Sequence, residues 1–207
     1  YEQILSYYFT VTTLEDRDDG QCSHADCSLR EAIHAANTAA GPNSINFAPG
    51  LSGAIVLNSL LPAITEALTI DGPGAAALVV SGAGLYRIFT VDAGPVSISG
   101  LTLRDGYARN LGWPDSPDLH GGAIYAVGSL KLHDVAIRDC RADSHGGGIH
   151  MYNGFLEISS SSIYSNVALW NGGGFSMYSD GQRPATVVIA DSDIYSNTAG
   201  NGAGGGF

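Results

Sequence analysis

The sequence is poor in positive charge. Of its 207 residues, 20 are Asp or Glu and only 9 are Lys or Arg, which gives a formal net charge of −11. Lys131 is the single lysine. Nucleic acids and anionic membrane surfaces attract proteins through clustered positive charge, so the composition argues against nucleic acid as a partner.

Long apolar runs and long helical patterns are also missing. The sequence has no run of about 18 apolar residues, so we expect no transmembrane span. A helical pattern occurs at residues 29–37, where Ser28 and Glu31 form a capping-box motif ahead of an amphipathic stretch. No stretch is long enough for the crossover helices that ordinary parallel α/β sheets need, which excludes that fold class.

Glycine, in contrast, is abundant, and part of it falls in a phrase that occurs four times. Successive copies are 25, 26 and 32 residues apart. Repeats of this length are typical of solenoids, in which each repeat packs on its neighbours. The copies read His120-Gly-Gly-Ala-Ile124, His145-Gly-Gly-Gly-Ile149, Asn171-Gly-Gly-Gly-Phe175 and Ala203-Gly-Gly-Gly-Phe207.

Between the glycine phrases, apolar and polar residues alternate over short stretches, as at 96–103 and 130–137. Alternation with a period of two is typical of half-buried strands. Three short strands in a repeat of ~25 residues are typical of one coil of a parallel β-helix. The sequence therefore predicts an all-β fold, a parallel β-helix solenoid, with a short capping α-helix at residues 29–37.

Alignment of the repeats predicts which side chains become neighbours in adjacent coils. Asn166 and Asn197 share one slot, and Tyr164 and Tyr195 share another. Aligned residues of adjacent strands lie roughly 4.8 Å apart, so we expect an amide ladder and a tyrosine stack. Cys140 occupies the slot of the asparagines, which predicts a buried or half-buried thiol in a turn.

Several strings near the start of the chain resemble a known family. Phe9-Thr-Val-Thr-Thr, Asp19-Gly-Gln-Cys22, Cys27-Ser-Leu-Arg-Glu-Ala-Ile33 and Ala35-Ala-Asn37 resemble the CSLREA domain, which begins bacterial secreted proteins with right-handed parallel β-helix repeats. The glycine phrases are similar to the repeats of polymorphic outer-membrane proteins. The resemblance implies a right-handed β-helix in an extracellular or cell-surface location. It implies no agreed catalytic site.

The predicted organisation is an N-terminal unit at residues 1–44 (strand, disulfide loop and capping helix) followed by β-helix coils at 45–207. In a secreted protein Cys22 and Cys27 are expected to form a local disulfide. A zinc site that uses them with a nearby histidine is the alternative. We expect the coils to be open at the C-terminal end, where other protein subunits or further coils of the same protein would add.

Two aspartates are weak candidates for catalysis. Asp105 and Asp139 share a slot, with Arg104 and Arg138 beside them. Because glycoside hydrolysis needs carboxylates that converge on one groove, a polysaccharide lyase or glycoside hydrolase of the β-helix type is the alternative function. The next two coils have Tyr-Ser at these positions, which favours a surface ladder of arginine and aspartate.

Two groups are weak candidates for metal binding. His120 and His145 open successive glycine phrases, and imidazoles one coil apart could share a metal ion. Asp16, Asp18 and Asp19 resemble a calcium loop that is one residue short of EF-hand spacing. Polar turns are the simpler interpretation of both groups, so no cofactor is expected and Ca²⁺ is the alternative.

Aromatic residues in or near turns predict a ligand or assembly surface. Such strips bind carbohydrate or another protein. The sequence favours a non-catalytic extracellular or cell-surface β-solenoid, an adhesin or structural fibre subunit that assembles through its coil ends or binds surface ligands. The proposed surface comprises Tyr164, Tyr195, Trp113, Trp170 and Phe207, with Tyr125, Tyr152 and Tyr178 nearby.

Overall fold

A computed structural model describes residues 6–109, 119–182, 184–202 and 204–206. It is mostly β, with 45% strand and one helix among these residues, in agreement with the predicted all-β class. That helix has 10 residues, and the described part of the chain holds no helix long and apolar enough to cross a membrane. The elements are β1 (Tyr8–Val11), α1 (Leu29–Thr38), β2 (Asn43–Phe47), β3 (Gly53–Val56), β4 (Leu68–Asp71), β5 (Leu78–Ser81), β6 (Phe89–Val91), β7 (Pro95–Arg104), β8 (Tyr107–Ala108), β9 (Ile124–Arg138), β10 (Arg141–Ala142), β11 (Ile149–Ser159), β12 (Ser162–Tyr164), β13 (Val167–Ala168), β14 (Phe175–Tyr178), β15 (Ala185–Ala190), β16 (Asp193–Tyr195) and β17 (Thr198–Ala199).

The described strands pair in parallel and form four rows. The first row contains β6, the start of β9, the start of β11, and β14. The second contains β1, β2, β4 and the start of β7, then the middle of β9, the end of β11, and β15. The third contains β3, β5 and the ends of β7 and β9, then β12 and β16. The short fourth row contains β8, β10, β13 and β17.

A single hydrophobic cluster collects the inward side chains of the first three rows. Leu130 and Leu156 are register partners in the second row, and both are fully buried. Alternation along each strand therefore separates an inner from an outer face, as the period of two predicts.

Helix α1 closes one end of this core by packing against β1 and β2. The Ser28 hydroxyl accepts from the backbone N–H of Glu31, and the Glu31 carboxylate accepts in return from the Ser28 N–H. This capping box satisfies two backbone donors that a helix start leaves without partners. The predicted helix at 29–37 is confirmed, with Leu29 and Ile33 on its buried face.

The glycine phrases form tight corners at the start of the first row. Gly146 has φ of 68°, a left-handed conformation that glycine adopts without steric cost. At Gly147 a Cβ atom would collide with the carbonyl oxygen of Gly173 in the next repeat. The glycines thus let adjacent repeats approach, and they fix the position of His145 just before the corner.

The corners after the third row contain the predicted amide ladder. Asn166 is fully buried; its Oδ1 accepts from the N–H of Cys140, and its Nδ2 donates to Asn197 Oδ1, both at 3.0 Å. Cys140 is buried in the same slot, and burial raises the pKa of its thiol to about 12. Both predictions about this slot are confirmed, and the thiol stays protonated at neutral pH.

Candidate functional site

A groove of about 520 Å³ opens on the outer face of the first row. Because side chains alternate between the two faces of a strand, the register partners Tyr125, His150 and Ser176 all lie on this outer face. Tyr152 and Tyr178 lie on the same face, two residues further along their strands. The corners that precede the strands supply the opposite side. We call this site the histidine–tyrosine groove; its lining is His120, Tyr125, His145, His150, Tyr152, Asn171, Ser176, Met177 and Tyr178.

Three imidazoles stack along one side of the groove. The ring centroids of His120 and His145 are 5.3 Å apart and nearly parallel, at 6°. The His150 ring lies 4.6 Å from His120 and 5.7 Å from Tyr125. His120 and His145, which the repeat alignment predicted to be neighbours, therefore cover a third histidine.

Backbone amides set the orientation of two of these rings. The N–H of His145 donates to Nδ1 of His120, and the N–H of Asn171 donates to Nδ1 of His145, each at 3.3 Å. A nitrogen that accepts a hydrogen bond has no proton of its own, so the neutral rings carry their proton on Nε2. The same arrangement thus repeats from one corner to the next.

His150 is 5% exposed, and its Nδ1 lies 2.7 Å from the Ser176 hydroxyl oxygen. The pKa of His150 is lowered to about 3, mainly because the ring is buried and to a smaller extent because His120, His145 and Arg87 are close to it. Burial also lowers the pKa of His145. Both imidazoles are consequently neutral at pH 7.

A buried arginine supports the groove from below. Arg87 is 4% exposed, and its guanidinium carbon lies 5.3 Å from the centroid of the Tyr125 ring. Its Nε donates to the carbonyl oxygens of His120 and Gly121, both at 3.1 Å. Arg87 therefore ties the corner that carries His120 to the floor of the groove.

Stacked tyrosines occur on two outer faces. Tyr152 and Tyr178 stack in the groove with centroids 5.2 Å apart. On the third row, Tyr164 and Tyr195 stack at 5.0 Å and 4°, which confirms the predicted neighbour relation. Trp170 follows β13 and is 49% exposed. Trp113 and Phe207, which were predicted for the same surface, lie outside the described residues.

The candidate catalytic aspartates occupy the corners after the third row. Arg104 and Arg138 are register partners, as predicted. Asp105 and Asp139 have φ of 54° and 55°, a left-handed conformation in which aspartate is enriched. Arg138 contacts Asp139 at 2.5 Å, and Arg104 lies 3.5 Å from Asp105. Each aspartate thus has a role in the turn, and a catalytic role stays a prediction.

The N-terminal candidates for metal binding are held by other contacts. Asp16 pairs with Arg30 at 2.8 Å and accepts from the N–H of Asn58 at 2.7 Å. Asp18 lies 3.5 Å from His34, and the N–H of Asp19 donates to the carboxylate that caps α1. Across residues 6–109, 119–182, 184–202 and 204–206, no three His, Cys, Asp or Glu side chains are grouped to hold a metal ion.

The structure joins Cys22 and Cys27 in a disulfide. Their sulfurs are therefore not available to a zinc ion, and the zinc alternative for this loop is wrong. Comparisons of the chain with protein-family models, with curated proteins and with solved structures found no match. Function is therefore inferred from the geometry of the surface.

Sequence reasoning missed His150, Ser176 and Met177 in the lining of the groove and Arg87 beneath it. His150 comes directly after the glycine phrase that ends at Ile149, and it aligns with Tyr125 of the previous repeat. The repeat alignment therefore contained the signal. Arg87 precedes β6 and contacts the groove through residues that are 33 and 34 positions away. No local motif indicates that contact.

Proposed function

We propose that this chain is a right-handed parallel β-helix with a CSLREA-type cap, and that it acts outside the cell as a non-catalytic adhesin or structural fibre subunit. Four rows of parallel strands support the β-helix. Residues such as Ile124, Ile149 and Phe175 pair across intervals of 25 and 26 positions. The Cys22–Cys27 disulfide supports an oxidising, extracellular location.

The observation that carries a binding role is the pair of outward tyrosine stacks. Tyr178 is 53% exposed and Tyr195 is 50% exposed. Tyrosine rings supply a large apolar face with a polar hydroxyl, which suits surfaces that contact a ligand. The rings of each stack lie against each other, and the outer described ring of each stack, Tyr178 or Tyr195, is about half exposed.

The charge arrangement favours binding over catalysis. Asp105 and Asp139 are each beside an arginine, and they hold left-handed turn positions. Glycoside hydrolysis needs carboxylates that converge on one groove, whereas each of these aspartates contacts the arginine that precedes it in the chain.

An exposed apolar edge supports assembly as part of the same proposal. In β15, the outermost described strand of the second row, Val187 and Ile189 are 38% and 40% exposed. Their register partners Leu156 and Ile158 are fully buried. A further parallel strand would bury these side chains and pair the open backbone edge; it would come from later coils of the same protein or from another subunit.

A polysaccharide panel tests the functional class. We expect the protein to be retained on insoluble polysaccharides or on cell surfaces while leaving soluble polysaccharides at their original chain length. Depolymerisation that is abolished by Asp105→Asn or Asp139→Asn would overturn the proposal and establish the enzyme alternative. Asparagine tolerates the left-handed conformation, so both variants keep the turn.

Sedimentation velocity tests the assembly component. We expect concentration-dependent association of this chain, which Ile189→Lys weakens by placing a charge at the apolar edge. Glu157→Gln, on the outer face of the second row, is the matched control. A chain that stays monomeric at all concentrations, or associates equally well with Ile189→Lys, would leave no role for this edge in self-assembly.

A further inference from the structure

We propose that the histidine–tyrosine groove binds a short segment of an uncharged saccharide, oriented across the strands of the first row. This inference rests on the proposed binding function and names the ligand class of one surface. It is carried by the shape of the groove, the stacked rings in it and the charge of its lining.

The dimensions of the groove suit a linear chain of sugar rings. Its side chains come from three adjacent strands, β9, β11 and β14, and from the corner before each of them. Adjacent strands are about 4.8 Å apart, close to the length of one pyranose ring, so successive sugars would meet side chains at aligned positions of successive strands. The volume of about 520 Å³ is within the range of small-ligand sites.

Tyr178, the outer described ring of the Tyr152–Tyr178 stack, provides an apolar surface for the ligand. Tyr178 is 53% exposed, and the two rings lie 5.2 Å apart with 25° between their planes. The C–H face of a pyranose is apolar and flat, and it packs against aromatic rings as other apolar groups do. Equatorial hydroxyls then point sideways, towards the walls of the groove.

The walls supply amide, hydroxyl and imidazole groups for hydrogen bonds, and the imidazoles of His145 and His150 are neutral at pH 7 because their pKa values are lowered by burial. Asn171, Ser176 and the imidazoles face the groove, and together they offer both donors and acceptors. The backbone bonds to Nδ1 leave Nε2–H as the donor of the neutral His145 ring. Uncharged donors and acceptors on a rigid scaffold match the hydroxyls of a neutral sugar.

The charge of the lining argues against ionic ligands. Among the described residues that line the groove there is no Asp, Glu, Lys or Arg, although the chain as a whole has a formal net charge of −11. An acidic saccharide would find no cation in this lining and would be repelled by the remainder of the protein. The buried guanidinium of Arg87 lies below Tyr125 and is bonded to backbone carbonyls.

Isothermal titration calorimetry at pH 7.5 tests the proposal with defined probes. The uncharged probes are the hexamers of cellulose, amylose and chitin; oligogalacturonate is the anionic probe, and tetramethylammonium is the cationic probe for an aromatic cage. Tyr178→Ala removes the half-exposed ring, and Tyr178→Phe keeps the ring without its hydroxyl. Tyr195→Ala is the matched control, since it removes an equally exposed tyrosine from the third-row stack.

We expect at least one uncharged hexamer to bind. Tyr178→Ala should weaken its affinity about tenfold or more, whereas Tyr178→Phe and Tyr195→Ala should stay within about twofold of the unaltered chain. Circular dichroism establishes that the variants are folded.

Three results would overturn the inference and bear differently on the proposed function. Preferential binding of oligogalacturonate would keep a binding function and reject the uncharged ligand. Loss of saccharide binding in Tyr195→Ala but not in Tyr178→Ala would move the site to the third row. Binding of tetramethylammonium alone, or of no probe, would reject the saccharide site, and retention on cell surfaces would then decide the adhesin role independently.

Discussion

The outer faces of the first and third rows both carry aligned side chains, but those of the first row line a groove that could hold a ligand. Both carry aligned side chains across adjacent strands, and both include a tyrosine stack with centroids near 5 Å. On the third row, Arg138 is the register partner of Tyr164, and its guanidinium is paired with Asp139. On the first row, the tyrosines adjoin three stacked imidazoles in a groove.

The difference shows that a ladder of aligned residues is not in itself a site. On the third row, local ion pairs and left-handed turns account for the charged residues. On the first row, the glycine corners fold His120 and His145 over the strand and enclose His150. Enclosure without charge is what makes the first row the stronger candidate for a ligand.

The largest difference between the two faces should be the loss of folding stability at low pH, which comes from His150 on the first row. Unfolded His150 takes up a proton near pH 6.5, whereas the folded protein holds its pKa at about 3. Between these values the unfolded state binds more protons, so this contribution to stability is complete above pH 6.5 and is lost as the pH falls towards 3. The loss approaches about 4 kcal/mol, and His145 adds to it in the same direction.

Urea unfolding between pH 4 and 7.5 measures how the free energy of unfolding depends on the protonation of His150. His150→Gln, which does not titrate, should flatten the pH dependence of the free energy of unfolding. His133→Asn is the matched control, because it removes a histidine from the exposed outer face of the second row. Equal slopes for the unaltered chain and His150→Gln would show that His150 is not buried as described.

The second effect tests whether the third-row corner is structural. Asn166→Ala should lower the free energy of unfolding by about 3 kcal/mol, because it leaves the N–H of Cys140 and the carbonyl of Ile137 unsatisfied in the core. The same change at the half-buried Asn197 should cost about 1 kcal/mol, since water can replace its bonds. If both variants lower the free energy of unfolding equally, the contribution of each asparagine does not depend on how deeply it is buried.

The third effect compares the two tyrosine stacks directly. Tyr178→Ala and Tyr195→Ala should each lower the free energy of unfolding by no more than about 1 kcal/mol, because both rings are half exposed. Differential scanning calorimetry should therefore show similar transition temperatures for the two variants. If stability is the same, a difference in ligand affinity between them reports on the binding surface alone.

The smallest effect concerns the charged corner. Asp139→Asn removes the partner of Arg138 but keeps a residue suited to φ of 55°. Exposed ion pairs contribute about 0.5 kcal/mol, so the free energy of unfolding should change by that amount or less, and 1 M NaCl should remove the difference. A cost above about 2 kcal/mol would show that this corner depends on the charge pair.

Much of the fold could be predicted because repeats convert sequence alignment into spatial contact. Aligned positions predicted the amide ladder at Asn166 and the stack of Tyr164 on Tyr195, since adjacent parallel strands keep one register. The capping box predicted α1 from two residues, because its hydrogen bonds are local. The close spacing of Cys22 and Cys27 likewise made their disulfide foreseeable.

The groove could be predicted only in part, because its burial depends on how the corners fold. The alternation of side chains along β11 places His150 on the outer face, where a polar residue is expected to be exposed. It is buried because the rings of His120 and His145 extend over it from two different corners. The ion pair of Asp16 with Arg30 was missed for the same reason, since its partners come from segments with no shared periodicity.

The parallel rows also have a consequence for how the chain reaches its folded state. Strand partners are separated by between 23 positions, as for Val79 and Thr102, and 36 positions, as for Tyr8 and Ser44. Among the strands that the structure describes, none pairs with a segment more than 36 positions away. Each described strand after the first in its row can use an earlier strand of that row as a template. Order can therefore spread in one direction as the chain emerges, and only the growing edge is exposed to aggregation at any moment.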